Sequence, residues 1–357
     1  MPRIIVDAHI DMAYNAVVLG RDLTRPLVDI RAGEADASES EDRPPLETCL
    51  VSLPSLVEGR VAVVGASLFV APATKYWPNE PQAYRTPAEA HRYGIGQLDY
   101  YRRLADEDAR VRVLGGAGDL DDVLCSWETP EPQVGLFIVM EGAAPIREPG
   151  ELGWWVERGL RGVGLTWSTG TQYAGGNAVP GPLTDAGRKL VDAMAEYNLL
   201  LDVSHLWEDA VYEVVERYPG PVVASHANPR AFVDSPRQLT DDVIRRIAAR
   251  EGVVGVVPFN KMLAEAWRSG DARLPLARLT EAIDHICQVT GLAASVGIGS
   301  DFDGGLGRES VPETLDSIAD LGKIGDLLAE RGYATADIEA ILGGNWLRVM
   351  RQVLAAM

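Results

Sequence analysis

Ile4-Ile5-Val6-Asp7-Ala8-His9-Ile10-Asp11 stands near the start of the chain. Its apolar, largely β-branched beginning reads as a buried strand, and its end carries a His-x-Asp pair. Side chains on an extended backbone alternate with period 2, so His9 and Asp11 point to the same side. One imidazole and one carboxylate then converge on a point at a strand end, which is how a metal site begins.

Seven further runs resemble the one over Ile4–Ala8: Val61–Val70, Val134–Met140, Gly162–Thr166, Leu199–Val203, Pro221–Ala224, Gly252–Pro258 and Ser295–Gly299. Near-continuous apolar strands imply a sheet covered on both faces, hence parallel. Helical patterns lie between most of them, as in Pro87–Glu107, Asp185–Tyr197, Trp207–Tyr218, Asp241–Ala249 and Leu279–Thr290. Eight alternations of strand and helix predict an α/β fold, a (β/α)8 TIM-type barrel. A doubly wound open sheet is the alternative, weakened because no G-x-G-x-x-G follows the first run.

With no internal repeat and no dividing linker, residues 1–357 are expected to form a single barrel domain. Long loops are expected around 22–47, 73–86 and 165–182, where charge, proline and glycine interrupt the apolar pattern. The composition, 46% hydrophobic and 24% charged, is that of a globular protein with a large core. The net charge of −19 argues against binding nucleic acid or anionic membranes. No apolar run approaches a membrane span, and no secretory signal is read after Met1. Cys49, Cys125 and Cys287 are widely spaced and form no C-x-x-C pair. They read as reduced thiols, so the expected location is cytoplasmic.

The polar residues fall into place on this frame. His9 and Asp11 follow the first run, Glu141 the third, His205 the fifth, His226 the sixth, and Asp301 and Asp303 the eighth. Strand carboxyl ends are where barrel enzymes build their sites. Three of the five histidines occupy such ends; His91 and His285 lie inside helical patterns and read as structural. Singly, His205 and His226 could be helix caps, and Asp301 and Asp303 turn formers before Gly304-Gly305. Together they make a ligand set of imidazoles and carboxylates that suits zinc or a similar divalent ion.

There are enough ligands for two metal ions, with Glu141 as the natural bridge because a carboxylate offers one oxygen to each. A modified lysine bridges in some two-metal barrels, but Lys75 and Lys261, though near strand ends, terminate no suitable run. Such a pair of ions acidifies a shared water and polarises a carbonyl. Asp301 would take the water's proton and pass it to a leaving amine. The reaction class expected is hydrolysis of an amide or related C–N bond, with His9 and Asp11 forming the more exposed half of the centre.

The motifs Asp7-Ala8-His9-Ile10-Asp11, Glu141-Gly142, Asp202-Val203-Ser204-His205, Ser225-His226-Ala227-Asn228, Gly299-Ser300-Asp301-Phe302-Asp303-Gly304 and Gly343-Gly344-Asn345-Trp346-Leu347-Arg348 run through nearly the whole chain. In this order they resemble the membrane (renal) dipeptidase family, a branch of the amidohydrolase barrels. The resemblance implies a di-zinc centre with His9 and Asp11 on one ion, His205 and His226 on the other, and Glu141 between. It implies Asp301 as acid/base. It also implies that Arg237, eleven residues beyond His226, binds the free carboxylate of a small dipeptide. A guanidinium fork meets a carboxylate in two hydrogen bonds, which suits that role.

One position departs from the family. Where it often has a histidine near the scissile carbonyl, this chain reads Leu165-Thr166-Trp167-Ser168. Indole donates a hydrogen bond but cannot become a cation. Trp167, a neighbour such as Tyr173, or the metals would have to supply what the histidine supplies, or the substrate differs. The resemblance therefore implies a zinc-dependent dipeptidase, with a C-terminal D-residue allowed as the family often allows it. The alternatives are an amidohydrolase of N-acyl amino acids or cyclic amides, and a weakly active metal-binding relative. Family members are often dimers, so a homodimer is the expected assembly, although no interface is legible in the sequence.

Overall fold

The computed structural model describes residues 4–38, 47–74 and 82–356. The strands are β1 (Ile5–Ile10), β2 (Val61–Phe69), β3 (Val111–Val113), β4 (Val134–Glu141), β5 (Leu160–Gly164), β6 (Leu200–Asp202), β7 (Val222–Val223), β8 (Val254–Val256) and β9 (Val296–Ile298). Each pairs only in parallel with its neighbours. Eight of them follow the order β7-β6-β5-β4-β2-β1-β9-β8. A parallel bridge from Ala224 to Val254 joins the two ends, with the Gly255 N–H donating to the Ala224 carbonyl at 2.8 Å. The result is a nearly closed barrel of the expected (β/α)8 TIM type, and the open sheet is excluded.

The eight apolar runs became the eight barrel strands because each is buried on both faces; β2 and β4, for example, have no exposed residue. The short strand β3 has no counterpart among the runs. Arg112 interrupts its apolar pattern, and it pairs only with Val134, Gly135 and Leu136 at the start of β4. Helices cover the outside, and their ends follow local chemistry. Thr86 caps Pro87–Glu107 in a reciprocal box with Glu89, and Thr184 and Thr240 cap Asp185–Glu196 and Asp241–Ala249. Where β7, β8 and β9 meet, the backbones are in close approach. A Cβ on Gly255 or Gly299 would lie 1.9 or 1.8 Å from the Ser225 carbonyl oxygen, so only glycine lets the barrel close here.

The three expected loops differ in kind. The excursion over 22–47 is not all loop, because it contains a helix, Leu27–Ser38. Arg31 anchors that helix through the Cys49 carbonyl at 2.7 Å, and Arg21 through Glu34 at 2.7 Å. Long-range ion pairing and hydrogen bonding thus order a segment that composition alone marks as irregular. Residues 39–46 and 75–81 lie outside the described residues, and so does Lys75. The segment 165–182 holds its shape by internal turns, such as Ala178 N–H to the Ser168 carbonyl at 2.8 Å, and by Asn177 N–H to the His205 carbonyl at 2.9 Å. The Gly343-Gly344-Asn345 motif lies at the opposite end of the barrel, where Asn345 Nδ2 donates to the carbonyls of Ala293 and Val296 at 2.8 and 2.7 Å.

Candidate metal centre

Six side chains from five separate places in the sequence meet at the carboxyl end of the barrel. His9 lies within β1 and Asp11 just after it, and Glu141 is the last residue of β4. His205, His226 and Asp301 each stand three residues beyond the end of their strands, β6, β7 and β9. His205 and Asp301 adopt left-handed backbone conformations, with φ of 62° and 56°. Such strain in non-glycine residues gathers at functional sites.

The two oxygens of Glu141 face opposite ways. Oε1 lies 3.0 Å from His205 Nε2 and 3.3 Å from His226 Nε2. Oε2 lies 3.3 Å from His9 Nε2, which in turn is 3.9 Å from Asp11 Oδ1. The donor atoms therefore fall into triads that share Glu141: His9, Asp11, Glu141 and Glu141, His205, His226. A third triad, His9, His226 and Asp301, places Asp301 across both.

The residues' own atoms fit divalent cations. Both ring nitrogens of buried His9 lack a hydrogen-bond partner, and buried polar groups are ordinarily satisfied. His205 Nε2 and His226 Nε2 face each other at 3.1 Å, an approach that makes sense for two lone pairs directed at one cation. Outer partners fix the other ring nitrogens. His205 Nδ1 is 2.9 Å from Asn177 Oδ1, and His226 Nδ1 is 2.7 Å from Ser225 Oγ, which donates on to Asp202. These contacts orient each ring with Nε2 toward the centre. Asp202 and Ser225 lie in motifs already visible in the sequence; Asn177, in the glycine-rich loop, carries no local signal.

Electrostatics agree with a shared, charge-dense centre. Burial lowers the pKa of His205 to about 4, aided by the Arg237 charge, and holds His226 well below its usual range. Both rings are then neutral, as ligands must be. Burial also disfavours the charged form of His9, but the charges of Glu141, Asp11 and Asp301 outweigh it and raise His9 to about 10. Burial pushes Asp301 well above the carboxylate range, and Asp11 and Glu141 add to the shift against the pull of His9. Glycine at 304 permits this crowding, since a Cβ there would lie 2.2 Å from Asp301 Oδ1 and 2.8 Å from Asp11 Oδ2.

Some expectations require correction. The His9 half is not the more exposed one. His9 and Asp11 are 0% and 4% exposed, while His205 is partly accessible, because His9 lies within β1 whereas His205 stands three residues beyond β6. Tyr173 does not reach the site. It is wholly buried, its hydroxyl donates to the Ile146 carbonyl at 2.6 Å, and it lines no part of the cavity. Asp303 turns away as well, accepting from Leu50 N–H at 2.8 Å and Val51 N–H at 3.0 Å. His91 and His285 are structural, bonded to the Pro145 carbonyl and to Asp241.

A cavity of about 750 Å³ opens over the cluster. Glu141, Asp301, Arg237, Trp167 and Lys261 are among the residues that line it. Arg237 donates through Nη2 to the His226 carbonyl at 2.8 Å, and its buried Nη1 has no partner.

Residues 2–357 match the profile of the membrane dipeptidase family, peptidase family M19. The chain belongs to this family. Family membership makes it a metal-dependent peptide-bond hydrolase of the dipeptidase type. It is 32% identical to an uncharacterized protein in the pqqA 5′ region of Klebsiella pneumoniae, over 70% of this chain and 92% of that one. It is 26% identical to dipeptidase 3 of Rattus norvegicus, over 84% of this chain and 58% of that one. Among solved structures, the M19 dipeptidase AC superposes with a TM-score of 0.80 at 22% identity, covering 99% of this chain and all of that one. A metallopeptidase of Rhodobacter sphaeroides, liganded with a phosphinate mimic of L-Ala-D-Ala, gives 0.80 at 22% identity, covering 98% and 99%. No helix among the described residues is long and apolar enough to cross a membrane.

Proposed function

We propose that this M19 dipeptidase works with two divalent cations, zinc by the character of its donors, held by His9 and Asp11 on one side and His205 and His226 on the other, with Glu141 shared. The observation that carries the reading is the divided Glu141 carboxylate, one oxygen toward each histidine group. Bound there, the cations would supply Lewis acidity and a water acidified toward neutral pH.

The chain's own residues do the rest. The Asp301 carboxylate lies within 4.8 Å of donor atoms of His9 and His226, one from each half, and its buried, acid-rich surroundings raise its affinity for a proton. It takes a proton from the attacking water and returns it to the leaving amine. Arg237 offers its unpartnered Nη1 to the substrate's C-terminal carboxylate. Its tie to the His226 carbonyl fixes the distance between that carboxylate and the reacting centre, which restricts substrates to dipeptides. The measurement is hydrolysis of a dipeptide panel, including L-Ala-D-Ala, alongside metal content. Two zinc equivalents and loss of turnover on chelation, regained with zinc, are expected. Full turnover with the metal removed would overturn the reading.

Trp167 favours a second reading, an amidohydrolase of N-acyl amino acids or cyclic amides, because an indole at this wall of the cavity cannot act as a cationic donor. Rapid hydrolysis of N-acyl amino acids with no dipeptide cleaved would select it.

A further inference from the structure

Three aromatic rings form a continuous wall on one side of the cavity. Tyr14 packs on Phe69 with ring centroids 5.4 Å apart, and Phe69 packs on Trp167 at 5.0 Å. All three line the cavity. They come from separate parts of the barrel: Tyr14 from the segment after β1, Phe69 from the last position of β2, and Trp167 from three residues beyond β5. Trp167 extends the wall to within 6.1 Å of the His205 ring, measured between centroids. The wall therefore reaches the candidate metal centre.

Arg237 stands on the opposite arc. It lies on the segment that follows β7, and in the order around the barrel β7 is four strands from β2 in either direction. The metal-ligand cluster occupies the centre between them. A dipeptide whose carboxylate meets Arg237 and whose amide lies over the cluster must direct its N-terminal residue toward β2. Phe69 marks that point, with Tyr14 and Trp167 on either side.

We infer that the aromatic wall of Tyr14, Phe69 and Trp167 is the subsite for the N-terminal side chain, and that the preferred substrates are dipeptides with an aromatic or large apolar N-terminal residue. This rests on the proposed function above and names its substrate class. The physical ground is that aromatic faces gain most from another ring, through area removed from water and tilted ring packing. The indole, which breaks the family's pattern as a polar group, has a place as a packing surface.

The test compares Phe-Ala and Trp-Ala with Ala-Ala, and Ala-Phe with Ala-Ala, on the zinc-loaded protein. The N-terminal ring should raise kcat/KM by about 10–100-fold, the range a filled apolar pocket supplies, and the C-terminal ring should have a much smaller effect. Calorimetry with phosphinate mimics of Phe-Ala and Ala-Ala reads the same preference without turnover. Tyr14→Ser and Trp167→His should each reduce the Phe-Ala to Ala-Ala ratio, and the half-exposed Tyr14 gives a variant that leaves the core intact. Equal values for Phe-Ala and Ala-Ala, or a preference for the smaller residue, overturn the inference while leaving the dipeptidase reading intact. If no dipeptide is cleaved, the proposed function itself fails, and equal affinity for the two phosphinates then rejects the aromatic subsite as well.

Discussion

The two halves of the proposed metal centre are built in different ways. On one side, His205 and His226 stand on loops, and each has its outer ring nitrogen tied to a neighbour: Asn177 for one, Ser225 backed by Asp202 for the other. On the other side, His9 belongs to a strand and has no hydrogen bond on either ring nitrogen. Its ring stacks on the His226 ring at 3.8 Å between centroids, with Glu141 Oε2, 3.3 Å from Nε2, its closest charged contact among the described residues. Hydrogen bonds fix a tautomer as well as a direction, whereas packing fixes only direction. The loop-borne half of the proposed site is thus oriented in advance, while the strand-borne half depends on backbone alternation and on its neighbour's ring.

The most severe way to break this contrast is to remove what the halves share. Glu141→Gln should lower turnover by more than about 10⁴-fold and reduce bound metal on both sides, since each loses its charged ligand. Retention of two tightly held ions, read by metal analysis after gel filtration, would contradict a bridging role. Next in size, Asp301→Asn should lower kcat by about 10²–10⁴-fold, the usual contribution of a general acid–base, with metal content unchanged. A variant that turns over at the parent rate would remove Asp301 from the mechanism.

Smaller changes sharpen the contrast. Asn177→Ala and Ser225→Ala should each weaken one cation by about 10–100-fold, as lost outer partners do. Stepwise chelation of the parent should remove the His9-side ion first, and in these variants the order should narrow or reverse. A single unresolved step in all three proteins would argue that the halves are equivalent.

The least effect belongs outside both halves. Hydrogen bonds from Arg273 and Arg308 lower the Asp316 pKa to about 2 from 3.8. A depressed folded-state pKa gives stability that is complete above the unfolded value and lost as pH falls from about 4 through about 2. Asp316 is half exposed, so the contribution should be under about 1 kcal/mol. Asp316→Asn should flatten that acid limb in thermal melts without altering metal content.

Much of this was legible along the chain, for identifiable reasons. The barrel strands show themselves because burial on both faces demands unbroken apolar runs, which need no distant information. The ligand positions followed, since polar residues at the ends of such runs have few places to point. β3 escaped because three residues with a central arginine make no pattern, and the helix Leu27–Ser38 because its anchors, Cys49 and Asp316, lie far along the sequence.

The fold class and the placing of the candidate ligands at strand ends were legible along the chain, because period-2 alternation and apolar continuity are local properties. The tertiary structure alone set the role of Asp303. Asp301 turns in and Asp303 turns to Leu50 and Val51, a choice set by a segment some 250 residues away. It also decided that Tyr173 is spent on Ile146, that Asn177 braces His205, and that Tyr14, Phe69 and Trp167 make one wall. Each of these depends on contacts between loops and strand ends remote in sequence, which exist only once the barrel has closed.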